Sequence, residues 1–350
     1  MNCPVNQIII RKDGHAGWIT LDRPEAHNAL THDMVLAIEQ ALDQWRNDTS
    51  IKLLIIDASG DCAFCAGGDI TDLHRTGTAG DYEYGRRFWR DEYRMNAKLA
   101  RFPKPVVTFL AGFTMGGGVG VGCHGSHRIV CDSSRIAMPE VTIGLLPDVG
   151  GSLLLSQAPG RLGEYLGITG ARFAAGDAIL AGFADYFIPA GDWAPLKDDL
   201  CKSGDWTRLD AVAQTPLTAR LSEKMDQINV HFGGEALADI VRSLRQDDSK
   251  FASETLDKIG RNSPLAMACG IEAIHRIRGR DDISMALELE YRFVHRAMAH
   301  ADFLEGIRAA LIDRDQTAQW MHSLDDPIAA DVTKMMMPLG AEKLDLRGIE

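Results

Sequence analysis

The chain has 350 residues, 45% of them hydrophobic, enough to bury a full core and suited to one α/β core with a helical extension. Its formal charge is −12 and no basic run is longer than the pairs Arg11-Lys12 and Arg86-Arg87, which excludes a nucleic-acid footprint built on clustered cations. No run approaches the roughly eighteen apolar residues of a membrane helix, so no membrane partner is expected.

The start MNCPVNQIII lacks the basic and apolar regions of a signal peptide and the Arg- and Ser-rich bias of a transit peptide, which makes a cytoplasmic location the expectation. Gln7 to Arg11 and Gly17 to Leu21 are two β-type runs around Asp13-Gly14 and predict a hairpin. The stretch DRPEAHNAL is a turn built from Pro24 and Asn28. Thr31 stands at an N-cap, and Met34, Ile38, Ala41, Leu42 and Trp45 recur at helical spacing, ending at the polar break Asn47 to Ser50. Ile51 to Asp57 is a continuous apolar run of the kind covered on both faces of a sheet.

Seven cysteines, an odd number scattered from Cys3 to Cys269, point to free thiols. Cys62 and Cys65 form a C-x-x-C, but no second pair lies at zinc spacing and the chain continues Ala-Gly-Gly-Asp rather than into a redox helix. His124 and His127 resemble a metal pair only superficially, since no third ligand lies nearby in sequence. No metal is expected.

The plan of strand, glycine loop and helix occurs twice, at Ala66-Gly67-Gly68-Asp69 and at Val106 to Leu110 followed by Gly116 to Gly118. Right-handed crossovers place two such loops at the same edge of one sheet, where the amides of Gly68 and Gly117 could converge on one point. Convergent amides are what a carbonyl oxygen needs as it gains negative charge. On glycine content alone, tight turns are the commoner role of such loops. Gly120 to Gly125 also spells G-x-G-x-x-G, but it runs into the β-like His127 to Asp132 instead of opening a helix, which discounts a dinucleotide site. The absence of G-x-S-x-G argues against an α/β-hydrolase thioesterase.

The segments LDRPEAHNAL, FCAGGDI, GFTMGGGVG, MPEVTIGLLPDVGGS and DFLEGIRAALIDRD followed by Gln319-Trp320 together resemble the enoyl-CoA hydratase/isomerase (crotonase) superfamily. Within it they are most similar to the 3-hydroxyisobutyryl-CoA hydrolase branch, across nearly the whole chain. The resemblance implies an α/β, crotonase-like (ClpP/crotonase) fold of repeated ββα units, with a core over 1–190 and a helical region over 191–350 that covers the site or makes subunit contacts. It implies an acyl-CoA substrate, no cofactor beyond the coenzyme A of that substrate, and leaves a homo-oligomer open.

Carried over residue by residue, it makes Gly68 and Gly117 the oxyanion donors, Glu140 the catalytic glutamate, Asp148 the second acid and Glu92 a substrate contact. Ala26, Ala66 and Asp69 would line the path of the CoA moiety, and Arg23 would meet a phosphate. One departure matters: hydratases of the superfamily place a first glutamate two residues after the glycine triplet, and here that position is Gly120. Losing it disfavours hydration, while a single glutamate could still serve an isomerase. Read without the family, Asp148 would cap the helix-like SLLLSQ, Glu140 would be a solvated strand-end carboxylate, and Glu92 an exposed helix residue paired with Arg.

From Asp192 the glycines thin out and the chain reads as helices. Leu287, Tyr291, Val294 and Met298 form an apolar stripe suited to core or subunit contact. The stretch 192–262 reads as a cover over the acyl end of the pocket or as an oligomer contact.

Overall fold

The computed structural model describes residues 7–216 and 218–349; Cys3 lies outside them. Strands β1 (Ile8–Asp13) and β2 (Ala16–Leu21) form the expected hairpin, with Gly14 at φ 54° in its turn. Helix α1 (His32–Arg46) opens with the Met34 amide donating to the Thr31 hydroxyl. Its Met34, Ile38, Ala41, Leu42 and Trp45 are buried as the spacing predicts. Each large side chain so removed from water stabilises the fold by ~1.5–3 kcal/mol.

Chain order then gives β3 (Leu53–Ala58), β4 (Ala63–Cys65), α2 (Ile70–Thr78), α3 (Tyr82–Ala100), β5 (Val106–Leu110), β6 (Phe113–Met115), α4 (Gly117–Gly122) and β7 (His127–Val130). β8 (Arg135–Ala137), α5 (Gly151–Gln157), α6 (Leu162–Thr169), β9 (Phe173–Ala174) and β10 (Tyr186–Phe187) follow. The strands form two sheets. The larger runs β1-β2-β3-β5-β7-β10, parallel from β2 onward, and the smaller runs β4-β6-β8-β9. In the smaller sheet β4, β6 and β8 are parallel neighbours.

This arrangement changes one expectation. The two glycine loops do share a sheet edge, but the edge belongs to the small sheet, because a second short strand intervenes between each long apolar strand and its loop. Each passage through the core is therefore strand, short strand, loop and helix.

A parallel sheet must be covered on both faces. On one face Ile19, Leu54, Ile56 and Val106 join the main core with α1 and α3. On the other, Ala16, Leu53, Ile55, Val107, Phe109 and Ile129 meet Trp193, Leu196 and Leu200 of the helix Trp193–Ser203. The first part of 192–262 thus covers the back of the large sheet rather than the acyl end, with Leu209 adding to the same apolar cluster. The stripe of Leu287, Tyr291, Val294 and Met298 is buried on helix Ile283–His300, which packs along α3. Among the described residues no helix is long and apolar enough to cross a membrane, and every described cysteine is free.

The two sheets are held in register partly by a close approach of α4 to β4. A Cβ added at Gly118 would stand 2.3 Å from the Cys65 carbonyl oxygen, a backbone atom that cannot step aside. Gly118→Ala is therefore expected to destabilise the fold by ~3 kcal/mol, read from urea unfolding. An unchanged midpoint would show that strand and helix can separate at no cost.

Candidate active site

Three neighbouring strands of the small sheet deliver three loops to one place. β4 leads into Ala66–Asp69, β6 into Gly116-Gly117, and β8 into the 3-10 turn Glu140–Ile143. The carboxyl ends of parallel strands are the usual location of ligand crevices.

The first loop is fixed from outside by the segment after β2. Leu30 donates its amide to the Gly67 carbonyl (2.8 Å) and accepts from the Asp69 amide (2.8 Å), while the Ala66 amide donates to the His27 carbonyl (3.0 Å). Asn28, buried at φ 56°, sends its side-chain amide to the carbonyls of Ser59 (3.0 Å) and Ala63 (2.8 Å). These bonds use the amides of Ala66 and Asp69 and leave that of Gly68 free. Among the described residues neither the Gly68 nor the Gly117 amide has an acceptor.

The two loops touch. A Cβ placed on Gly117 would lie 3.2 Å from the Gly68 nitrogen and 2.8 Å from Glu92 Oε1. A Cβ on Gly116, whose φ of 50° favours glycine, would lie 3.0 Å from Glu140 Oε1. Gly68, Gly117, Glu92, Glu140 and Asp148 all line one cavity of about 140 Å³ whose other walls include Trp89 and Phe303. Trp89 and Phe303 pack ring on ring at 5.5 Å, so a residue of the C-terminal region closes the site.

The carboxylates are buried. Glu92 is 2% exposed, Asp148 4% and Glu140 5%. Glu92 Oε1 and both Glu140 oxygens have no partner among the described residues. Asp148 Oδ2 accepts from the Tyr93 hydroxyl at 2.8 Å. Burial, then the Asp148 carboxylate, hold Glu92 and Glu140 well above the ordinary carboxylate range. Burial pushes Asp148 up to about 7 against the opposing Tyr93 bond. Three acids this close titrate as a set, and charge on one keeps its neighbours protonated.

The readings made without the family do not fit these positions. Asp148 does not cap α5 with its side chain, which is turned to Tyr93; Glu140 is not solvated; and Glu92 has no Arg partner. His124 Nε2 donates to the Val149 carbonyl (2.8 Å), and His127 Nδ1 meets the Ser126 hydroxyl (2.9 Å).

Of the other expected contacts only Ala66 reaches the cavity. Ala66 lines its mouth and is exposed. Ala26, half-buried at the end of a 3-10 turn, does not reach it. Arg23 pairs with Asp69 (2.8 Å) and donates to the Ala29 carbonyl (3.1 Å). Asp69 itself caps α2, accepting from the Thr71 amide at 3.2 Å.

At position 120 the space for a side chain is already taken. A Cβ there would stand 2.9 Å from Val149 Cβ and 3.0 Å from both amide atoms of the buried Asn96. A side chain at this point would require Val149 or the Asn96 amide to give way.

An enoyl-CoA hydratase/isomerase family model matches residues 16–336. The chain belongs to the enoyl-CoA hydratase/isomerase family. This crotonase-family chain is 35% identical over 355 residues to the mitochondrial 3-hydroxyisobutyryl-CoA hydrolase of Gallus gallus, covering 97% of the chain and 91% of that relative. The Homo sapiens protein of the same name matches at 35% over 350 residues, covering 97% and 90%. Among solved structures, an enoyl-CoA hydratase from Rhodobacter sphaeroides 2.4.1 superposes with a TM-score of 0.93 at 49% identity, covering 97% of this chain and 99% of that one. A second, a carnitinyl-CoA dehydratase from Mycobacterium thermoresistibile, gives 0.91 at 38% identity, covering 98% and 99%. The fold is the crotonase fold, and the expected resemblance is borne out at the level of superfamily and branch.

Sequence reasoning missed Tyr93, Asn96, Phe303 and Glu290. Tyr93 and Asn96 share a helical face with Phe88, Trp89 and Glu92, a pattern legible in α3 once Glu92 is placed. Glu290 lies three residues after Leu287 and four before Val294, a carboxylate inside an apolar stripe, and that was the available signal.

The elevated Asp148 has a consequence for stability. A carboxylate whose folded pKa lies above its unfolded value adds stability at low pH, and that contribution is lost as pH rises through the folded pKa. For Asp148 the window runs from the ordinary 3.8 to about 7, worth up to ~4 kcal/mol. Asp148→Asn should therefore gain thermal stability over the native chain as pH rises from about 4 to about 8. A difference that stays flat across this window would show that Asp148 is not held in a dry site.

Proposed function

We propose that the chain is an acyl-CoA thioester hydrolase, acting on 3-hydroxyisobutyryl-CoA or a similar short β-hydroxyacyl-CoA of valine breakdown. One observation carries the reading: two unpartnered glycine amides face three buried carboxylates, while position 120 is sealed by Asn96 and Val149. The branch of the curated relatives supports the same choice.

In this reading the amides of Gly68 and Gly117 receive the thioester oxygen as negative charge develops on it, an interaction worth roughly 3–4 kcal/mol per donor in comparable sites. Glu140, which burial and the Asp148 charge keep protonated in the empty site, must first yield its proton to the neighbouring acids; once ionised it attacks the thioester carbon to give a mixed anhydride that water then opens, or it takes a proton from water that attacks directly. The covalent route requires no ordered water in its first step and is preferred. With Glu140 ionised, the shared proton rests on Asp148, whose carboxyl burial pushes up to about 7, and Asp148 gives it to the departing CoA thiolate. Tyr93 occupies one Asp148 oxygen and so turns the other towards the cavity. Glu92, held neutral by burial, keeps an acceptor oxygen and an O–H for a substrate hydroxyl.

The reading requires no metal or redox cofactor. It places the catalytic core in 1–190 and its helical cover in 191–350, and it keeps the cytoplasmic expectation although the curated relatives are named mitochondrial. A homo-oligomer remains part of the proposal.

Hydration of an enoyl-CoA, the activity for which the Rhodobacter protein is named, is the second reading. A thiol-release assay over a panel of acyl-CoAs separates the two. Free CoA from a β-hydroxyacyl thioester is the expected result; loss of an enoyl chromophore without free thiol would move the assignment to hydratase.

Substrate choice is expected to depend on Glu92. A site built to bond a hydroxyl rejects the analogue lacking it far more strongly than an apolar site rejects an added one. Glu92→Ala should erase the preference for 3-hydroxyisobutyryl-CoA over isobutyryl-CoA, measured as the ratio of kcat/KM. A ratio equal to that of the native chain would remove Glu92 from that role.

A further inference from the structure

A fourth buried carboxylate lies behind the cavity, and the proposed chemistry does not use it. Glu290, on helix Ile283–His300, is 0% exposed. One oxygen accepts from the Gly150 amide (2.8 Å), and the other accepts from the Ser152 amide (2.9 Å) and the Ser152 hydroxyl. Three donors from one short segment therefore converge on a single side chain that is 140 residues away along the chain from Gly150.

That segment begins with Asp148. Between Asp148 and Gly150 stands Val149 at φ 54°, a left-handed conformation that a β-branched residue adopts only under constraint. The peptide that follows this strained residue is held at both its carbonyl and its amide. His124 Nε2 donates to the Val149 carbonyl at 2.8 Å, and Glu290 takes the next amide along. Val149 also lines the cavity and fills the space beside Gly120, so the same strained turn both presents Asp148 and seals position 120. Without the Glu290 acceptors, two amides and a hydroxyl would be buried unpaired, and the turn would have reason to relax.

We infer that Glu290 is the positioning residue of Asp148: by accepting from Gly150 and Ser152 it holds the Val149 turn in its strained form and keeps the Asp148 carboxyl against Tyr93 in the cavity. The inference rests on the hydrolase reading for the role of Asp148. A carboxylate suits this task where an amide does not, since all the groups that meet it are donors and a glutamine would turn an NH2 towards one of them. Glu290 is raised to about 7, first by burial, and opposed by its bonds to Ser152 and Gly150.

The test is a double-mutant cycle on the full chain, comparing the native protein, Glu290→Gln, Asp148→Asn and the double variant. Steady-state thiol release is measured with the best-used β-hydroxyacyl-CoA, and amide hydrogen exchange of 148–152 is followed without substrate. Glu290→Gln is expected to lower kcat at least tenfold with KM within threefold, to cost less than twofold when Asp148 is already Asn, and to speed exchange at Gly150 and Ser152 at least tenfold. A kcat within twofold of native, or an equal loss in the Asp148→Asn background, would overturn the inference. If Glu290→Gln does not fold, Ser152→Ala, which removes only the hydroxyl contact, takes its place. A severalfold kcat loss that vanishes in the Asp148→Asn background supports the inference, and an additive loss or an unchanged kcat overturns it. If the native chain releases no thiol from any panel member, the hydrolase reading fails. In that case, or where Asp148→Asn leaves no measurable turnover, exchange decides: faster exchange at Gly150 and Ser152 in the variant supports the hold on the turn, and equal protection refutes it.

Discussion

Burying three carboxylates around one small cavity is the constraint to which the rest of the structure answers. An ionised acid without partners in a dry site is expensive, and such groups take up protons rather than remain charged. Glu92 and Glu140 have almost no hydrogen-bond support, and Asp148 has one phenol. The fold makes the arrangement tolerable by surrounding it with groups that cannot move: the Leu30 bridge to Gly67, the Asn28 bonds to Ser59 and Ala63, the close packing of Gly118 on Cys65, and helix Ile283–His300 behind. Stability is lost at the site and recovered in the packing around it.

The same constraint explains why the small sheet exists. Its strands are only two or three residues long and contribute little burial of their own. Their effect is geometric, since three parallel neighbours end at one level and their loops are set side by side. The amides that the loops leave unused then face the same volume as the Glu140 carboxyl. Catalytic preorganisation of this kind needs rigid support, because donors that must reorient at the moment of reaction lose most of their advantage.

How much of this was legible depended on whether the cause was local. The β1–β2 hairpin, the Thr31 cap and the buried face of α1 follow from periodicity and turn chemistry within a dozen residues, and they appear where the pattern placed them. The glycine loops were legible as loops that right-handed crossovers could bring together, and the family resemblance supplied the roles expected of Glu140 and Asp148. The small sheet was not legible, because strands of three residues show no alternation to read. The same limit hid the placement of Trp193–Ser203, whose apolar face could have packed on several surfaces. Asp148 shows the difference most sharply: its local sequence reads as a helix cap, yet the carboxylate that meets the amides at the start of α5 is Glu290, brought there by tertiary structure alone. Arg23, which the resemblance offered to a phosphate, is paired with Asp69, a contact that its local sequence does not announce.

Position 120 joins these threads, since it decides which proton transfers the cavity can support. Adding water across a double bond calls for two carboxylates on one water molecule, one to take a proton and one to give it. Here the first of those places holds no side chain, and Asn96 and Val149 crowd a Cβ there. The acids that remain come from other directions, Glu92 from α3 and Asp148 from the turn after the 3-10 segment. Cleaving a thioester makes a different demand: an oxyanion cradle, one group to attack or to activate water, and one acid for the leaving sulfur. In the proposed reading Gly68 with Gly117, Glu140 and Asp148 meet those three needs, and the residue that blocks position 120, Val149, belongs to the same strained turn that presents Asp148.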